Sequence, residues 1–263
     1  MLFRFSANLS FSDLFNLNFV LAYLWGTTVV YLIATGVAFL RGLRTAEAAV
    51  EAQVAVIGNI GFLGIPMLAL LLGDEAIGYI MMMLAVDLII FGSLIVILIV
   101  GSRDGRVSPA IIKTVGLGLL KNPMIVSVSL GLIWSLTRLP IPVPANEFLA
   151  ILGGAATPCA LFAIGASLAS KSAERLSVAA WLSGCKLFLH PAAVALGALV
   201  IFPVQPYAAC VMIASASLPV AGNVFMVAQH YGVAPSRVSA SILISTIVSI
   251  ITVSVVIGWV TTF

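Results

Sequence analysis

Charge is what this sequence has least of. Of 263 residues only 8% are Asp, Glu, Lys or Arg, against 62% that are apolar. That balance excludes a soluble fold of this length and suits a polytopic membrane protein. Cysteine is scarce as well. Cys159, Cys185 and Cys210 are scattered through apolar runs, which excludes a disulfide framework or a thiolate metal site and reads as small buried side chains. HExxH, Walker, GxSxG and CxxC patterns are missing, so no embedded enzyme is visible. No stretch reads as a cleavable leader, because 1–18 is interrupted by Arg4, Asn8, Asp13 and Asn16, and the first long apolar run would itself direct insertion. The longest polar connection, 101–118, is too short for a soluble domain, so any chemistry lies within the bilayer.

What remains is a series of apolar runs. Counting about 20 residues per crossing gives eight spans, 19–40, 46–73, 77–100, 119–136, 147–170, 178–202, 207–231 and 236–262. The connections after the odd-numbered spans carry Arg41, Arg44, Arg103, Arg106, Lys113, Lys121, Lys171, Arg175 and Arg237, whereas the other side has only Arg4 and Arg138. This bias puts the basic connections in the cytoplasm and both termini outside it. The first three spans (19–100) and the last three (177–262) each have a disrupted run in the middle. Corresponding spans are five apart, an odd number, so the second triplet is expected to lie inverted relative to the first. The spans within 119–171 would separate them. By the same logic two spans should precede the first triplet, and 1–18 is read as the remnant of one, as in a truncated or mis-started copy of a ten-span chain.

The disrupted runs are GNIGFLGIP, 58–66, and SASLPVAGN, 215–223. Proline removes an amide donor and glycine adds backbone entropy, so both helices are expected to break near the bilayer midplane. Backbone unpaired at that depth survives only inside protein or beside a polar cavity, and paired breaks in corresponding halves point to a transporter's binding site. The candidate substrate site is therefore Asn59, Gly61, Gly64, Pro66, Pro219, Gly222 and Asn223. The prolines make the breaks, while Gly58 and the other glycines allow close backbone approach. Each asparagine amide offers donors and an acceptor without a charge, to hold either a carboxylate or a freed backbone group. The half-helices that begin beyond the breaks present amide groups suited to anions.

Three ionisable residues lie inside spans. A central Asp87 costs roughly 2.5 to 3.5 kcal/mol by insertion scales and is either a proton or cation coupling site or a protonated structural group. Lys186 either snorkels to the cytoplasmic surface or neutralises the substrate or Asp87. His190 shares its face one turn on, as a packing residue or a proton relay. Glu47 and Glu51 are expected to bond exposed amides where the second span opens. The small residues of GGAATPCALFAIGAS suit helix packing.

The strings GNIGFLGIPM, KNPMIVSVSLGL, TPCALFAIGASLA and SLPVAGNVFMVAQHYG, in that order along the chain, resemble the auxin efflux carrier family of membrane transporters. The resemblance implies an all-α inverted-repeat fold like that of bile-acid symporters and sodium–proton antiporters, with two broken, crossing helices and ten spans. It also implies a core of the two triplets moving against a scaffold. Substrate contact at Asn59 and Asn223 follows from the same resemblance, as does a small organic anion such as malate or malonate as substrate. Proton or sodium coupling, a homodimer, and residence in a bacterial inner membrane are further expectations. The rival from another class is a membrane sensor or assembly subunit that keeps the fold without transport. No cofactor, metal or nucleic-acid partner is expected.

Overall fold

A computed structural model of the chain describes residues 2–8, 16–104, 123–169 and 176–262, together with 113, 116–118 and 120. Arg106, Lys121, Lys171 and Arg175, on which part of the charge bias rests, lie outside the described residues, as do residues 9–15 of the expected remnant. The described residues form helices α1 (Leu2–Ser6), α2 (Leu17–Leu40), α3 (Thr45–Val56), α4 (Ile60–Leu72), α5 (Ala76–Arg103) and α6 (Pro123–Leu136). They continue as α7 (Val143–Ala169), α8 (Leu176–Ile201), α9 (Pro206–Ala216), α10 (Gly222–Tyr231) and α11 (Pro235–Val260). Among them, α2, α5, α8 and α11 are each long and apolar enough to cross a membrane. The shorter α3–α4 and α9–α10 pairs are the two disrupted runs.

The helix boundaries follow from local chemistry. Asn16 starts α2 by accepting the Phe19 amide on its side chain at 3.2 Å, which satisfies one of the donors every helix start leaves open. Pro206 and Pro235 each occupy the first turn of a helix, where a missing N–H costs nothing. Gly73 and Gly232 close α4 and α10 with φ of 93° and 65°, a conformation that side chains with a Cβ resist.

Polarity is distributed inside-out. Leu40, Leu70, Ile151 and Ile250 are 73 to 90% exposed on the outer faces, whereas Glu51, Asp87, Lys186 and His190 are at most 3% exposed. An apolar exterior around a few enclosed ionisable groups has the bilayer as its solvent. Lys186 therefore does not snorkel, because the neighbouring helices enclose it completely. Cys185 and Cys210 are buried as expected, but Cys159 is exposed because its part of α7 lies on the surface.

Close helix packing holds this interior together. A Cβ on Gly26 of α2 would come within 2.8 Å of the Val194 backbone, and one on Gly197 within 2.9 Å of the Ala22 carbonyl oxygen. Helices α2 and α8 thus touch through backbone at two glycines, the small-residue contact that substitutes in lipid for a hydrophobic driving force.

Glu47 and Glu51 behave differently from the amide-binding role expected of them. Glu51 accepts both guanidinium nitrogens of Arg41, at 2.7 and 3.3 Å, and Nη1 of Arg237 at 2.6 Å. Glu47 stands 3.9 Å from Arg237. A forked guanidinium matches a carboxylate far better than a scattered set of amides does. The cluster joins the end of α2, α3 and the start of α11.

Candidate functional site

The two breaks meet. Helix α3 ends at Val56, and Asn59, with φ −74° and ψ 52°, makes a tight turn in which the Ile60 amide reaches back to the Gly58 carbonyl at 2.7 Å. Helix α9 ends at Ala216, Ser217 and Leu218 turn the chain, and 219–221 lead into α10. Gly58 and Val220 form an antiparallel bridge. The Asn59 amide donates to the Pro219 carbonyl at 2.8 Å, and the Ala221 amide to the Ile57 carbonyl at 3.0 Å. Each break thereby supplies partners for groups that the other has freed, which answers the requirement that backbone at this depth be satisfied within the protein.

The first break is shorter than the sequence pattern suggests. The chain is helical again from Ile60, through a wide turn in which the Gly64 amide donates to Asn59 and the Ile65 amide to Ile60. Gly61, Gly64 and Pro66 therefore lie within α4. The same widened turn recurs at Asp87–Phe91 and Cys185–Leu189, the positions of Asp87 and Lys186. Such bulges cluster at functional sites because they re-aim side chains without ending the helix.

In the second break the accounting of backbone groups is nearly complete. In an unbroken helix the Ala216 carbonyl would accept the Val220 amide. Instead the Val220 amide donates to Ser245 Oγ of α11 at 3.1 Å, and the Ala216 carbonyl accepts the Lys186 ammonium. The preceding carbonyls of Ile213, Ala214 and Ser215 are taken by Ser217 and Leu218.

A cavity of about 10 Å³, room for about one water, opens at the crossing. Its lining includes Asn59, Gly61, Asp87, Gly222 and Asn223. Asp87 Oδ2 and Asn223 Oδ1 are buried without a hydrogen-bond partner among the described residues. Neither Asn59 nor Ala221, the residues that precede α4 and α10, caps its helix with a side chain. Of the candidate substrate residues, then, Asn59, Gly61, Gly222 and Asn223 share the cavity wall. Gly64 instead packs on Leu218, Pro66 sits in the first turn of the segment that follows, and Pro219 contributes a backbone carbonyl.

Asp87, Lys186 and His190 are joined by residues that sequence reading passed over. Tyr23 donates to Asp87 Oδ1 at 2.7 Å. Thr27, one turn further along α2, lies 3.1 Å from His190 Nε2, and His190 Nδ1 lies 3.2 Å from Lys186 Nζ. Lys186 makes no ion pair with Asp87 among the described residues; it turns to the Ala216 carbonyl instead. The only hint of this in the sequence was two polar-tipped residues, Tyr23 and Thr27, spaced one helical turn apart in an otherwise apolar span.

A family described as "Membrane transport protein" matches residues 1–257. A protein of Rhizobium meliloti (strain 1021) named "Putative malonate transporter" is 29% identical over 260 residues, which cover 97% of this chain and 80% of the relative. Together with a membrane-type exterior and paired helix breaks around a polar cavity, the match over nearly the full length means that this chain belongs to the membrane transport protein family.

Proposed function

We propose that the protein is a secondary carrier of a small organic anion, a dicarboxylate of the malonate type, which binds where the two breaks cross. The observation that carries this reading is the cavity wall. Uncapped starts of two half-helices and two carboxamides converge there. Half-helix amides favour a carboxylate without a full positive charge, and the asparagine NH₂ groups donate to its oxygens. The name of the Rhizobium relative supports malonate as the first substrate to try.

Ligand pockets usually measure about 300 Å³ or more, so a dicarboxylate requires the half-helices to part. In this reading 19–100 and 177–262 form an inverted pair that moves as a core against 119–171, exposing the crossing to one side and then the other. Asp87, on the same wall, takes up a proton so that the anion does not meet a second negative charge. The substrate and the proton therefore travel together. Purified protein in liposomes should take up labelled malonate, faster with an acidic exterior. Malonate flux equal to that of empty liposomes would refute the carrier reading.

A further inference from the structure

The end of α9 poses an electrostatic problem that the anion site does not address. A half-helix that stops inside a membrane protein points its last carbonyls, the negative end of its dipole, into a low-dielectric interior. In carriers with broken helices such ends commonly coordinate a bound cation. Here the remaining acceptor is the Ala216 carbonyl, and Lys186 Nζ donates to it. The ammonium is wholly buried. It also sits directly against the other break, since a Cβ on Gly58 would lie 3.3 Å from both Lys186 Cε and Nζ. His190, one turn along α8, meets both the ammonium and, at 3.3 Å, the same carbonyl.

We propose that the Lys186 ammonium is a built-in cation of the crossing, filling the seat at the carboxyl end of α9 that would otherwise take an alkali ion. Three features support this assignment. The lysine reaches the seat from α8, so the charge is covalently tethered. Gly58 leaves the space that the chain's end occupies. No carboxylate lies within 4 Å of it among the described residues, and Asp87 acts on it only through space, so its direct partners are the helix end and His190. It follows that sodium has no role at this position, and that removing the lysine should create a cation site.

The test is thermal unfolding of the purified full chain in detergent, with sodium replaced by N-methylglucamine and cations added back. Lys186→Ala removes a propylammonium-shaped piece. It should lower the melting temperature by about 5 °C, the scale of one charge-assisted hydrogen bond in a chain this size. Added n-propylammonium should restore it with the logarithmic concentration dependence of a bound ligand. Tetramethylammonium, which has no N–H, should not, and the parent protein should respond to neither. Lys186→Met, of similar length but without charge, should be destabilised and not rescued, because its side chain fills the seat. A Lys186→Met variant as stable as the parent, or a Lys186→Ala variant that no cation restores, would overturn the proposal. If Lys186→Ala does not fold, Lys186→Met decides. The sodium prediction rests on the carrier reading and is read separately: malonate flux driven by a sodium gradient in the parent protein would contradict the built-in cation. Absence of all flux would count against the carrier and leave the melting results standing.

Discussion

The main-chain amide of Asn59 donates to the carbonyl of Pro219 at 2.8 Å across the two broken helices, although the residues are far apart in sequence. The bond ties the position that aims one carboxamide at the cavity to the residue that stops the other helix. Neither run can close into a continuous helix without leaving the other's backbone unpaired in an apolar medium.

The Val220 amide offers the simplest check on this mutual support, because a side chain satisfies it. Ser245→Ala leaves that N–H buried without an acceptor and should cost about 1 to 3 kcal/mol. Ser249→Ala, one turn along α11, removes only a local bond to the Thr246 carbonyl and should cost about 1 kcal/mol or less. Melting temperatures in detergent compare the two, and equal losses would mean that the break does not depend on Ser245.

Asp87 faces the cavity with one oxygen and holds Tyr23 with the other. If its proton accompanies the substrate, Asp87→Asn mimics the protonated form permanently. Malonate–malonate exchange should continue while acceleration by an acidic exterior disappears. Tyr23→Phe, which withdraws the donor to Oδ1, should weaken the acceleration without abolishing it. Undiminished pH-driven uptake by Asp87→Asn would assign coupling elsewhere.

At the contact of α2 with α8, Gly26→Ala pushes a methyl group against the backbone of Val194 at 2.8 Å. Overpacking of this kind typically costs about 1 to 3 kcal/mol, and neither backbone can rotate away as a side chain would. Gly36→Ala, with nothing within 4 Å, should be neutral or slightly stabilising through better helix propensity. The difference in melting temperature between these variants measures the contact; no difference would mean that the helices are not in backbone contact there.

Glu51 and Glu47 lie one turn apart on α3 and should respond very differently. Glu51 is buried and accepts from two partly exposed arginines, and replacing it with Gln should cost about 1.5 to 3 kcal/mol, because charge-assisted bonds to both guanidinium groups are lost. Glu47 is 36% exposed and 3.9 Å from its partner, so Glu47→Gln should cost at most about 1 kcal/mol. Thermal unfolding at low and high salt would show the distinction, with the Glu51 loss persisting in salt and the Glu47 loss fading.

Much of the fold was legible because membranes constrain sequence strongly. Apolar runs mark helices, and Gly58, Asn59, Pro219 and Gly222 stand out because a continuous buried helix has no use for them. Asp87 and Lys186 were visible for the same reason, since charge in an apolar span needs a purpose. Their partners were not visible. Every residue has a carbonyl, so nothing in the sequence singles out Ala216 as the acceptor for Lys186. Tyr23, Thr27 and Ser245 look ordinary until tertiary packing places them. Glu51 reads locally as a group for nearby amides, because Arg237 is 186 positions away. Gly64 and Pro66 suggest a longer interruption than exists, since the widened turn at Ile60–Gly64 carries the helix directly into the segment that holds the proline.

The central claim, that the anion is held at the crossing by Asn59 and Asn223, is tested most directly by equilibrium binding of labelled malonate to purified protein. Each carboxamide donates about 1.5 to 3 kcal/mol of charge-assisted hydrogen bonding. Asn59→Ala and Asn223→Ala should therefore each weaken binding roughly 10- to 100-fold, and the double variant should show none in the same range. Saturable malonate binding to the parent protein that both substitutions leave unchanged would contradict the account.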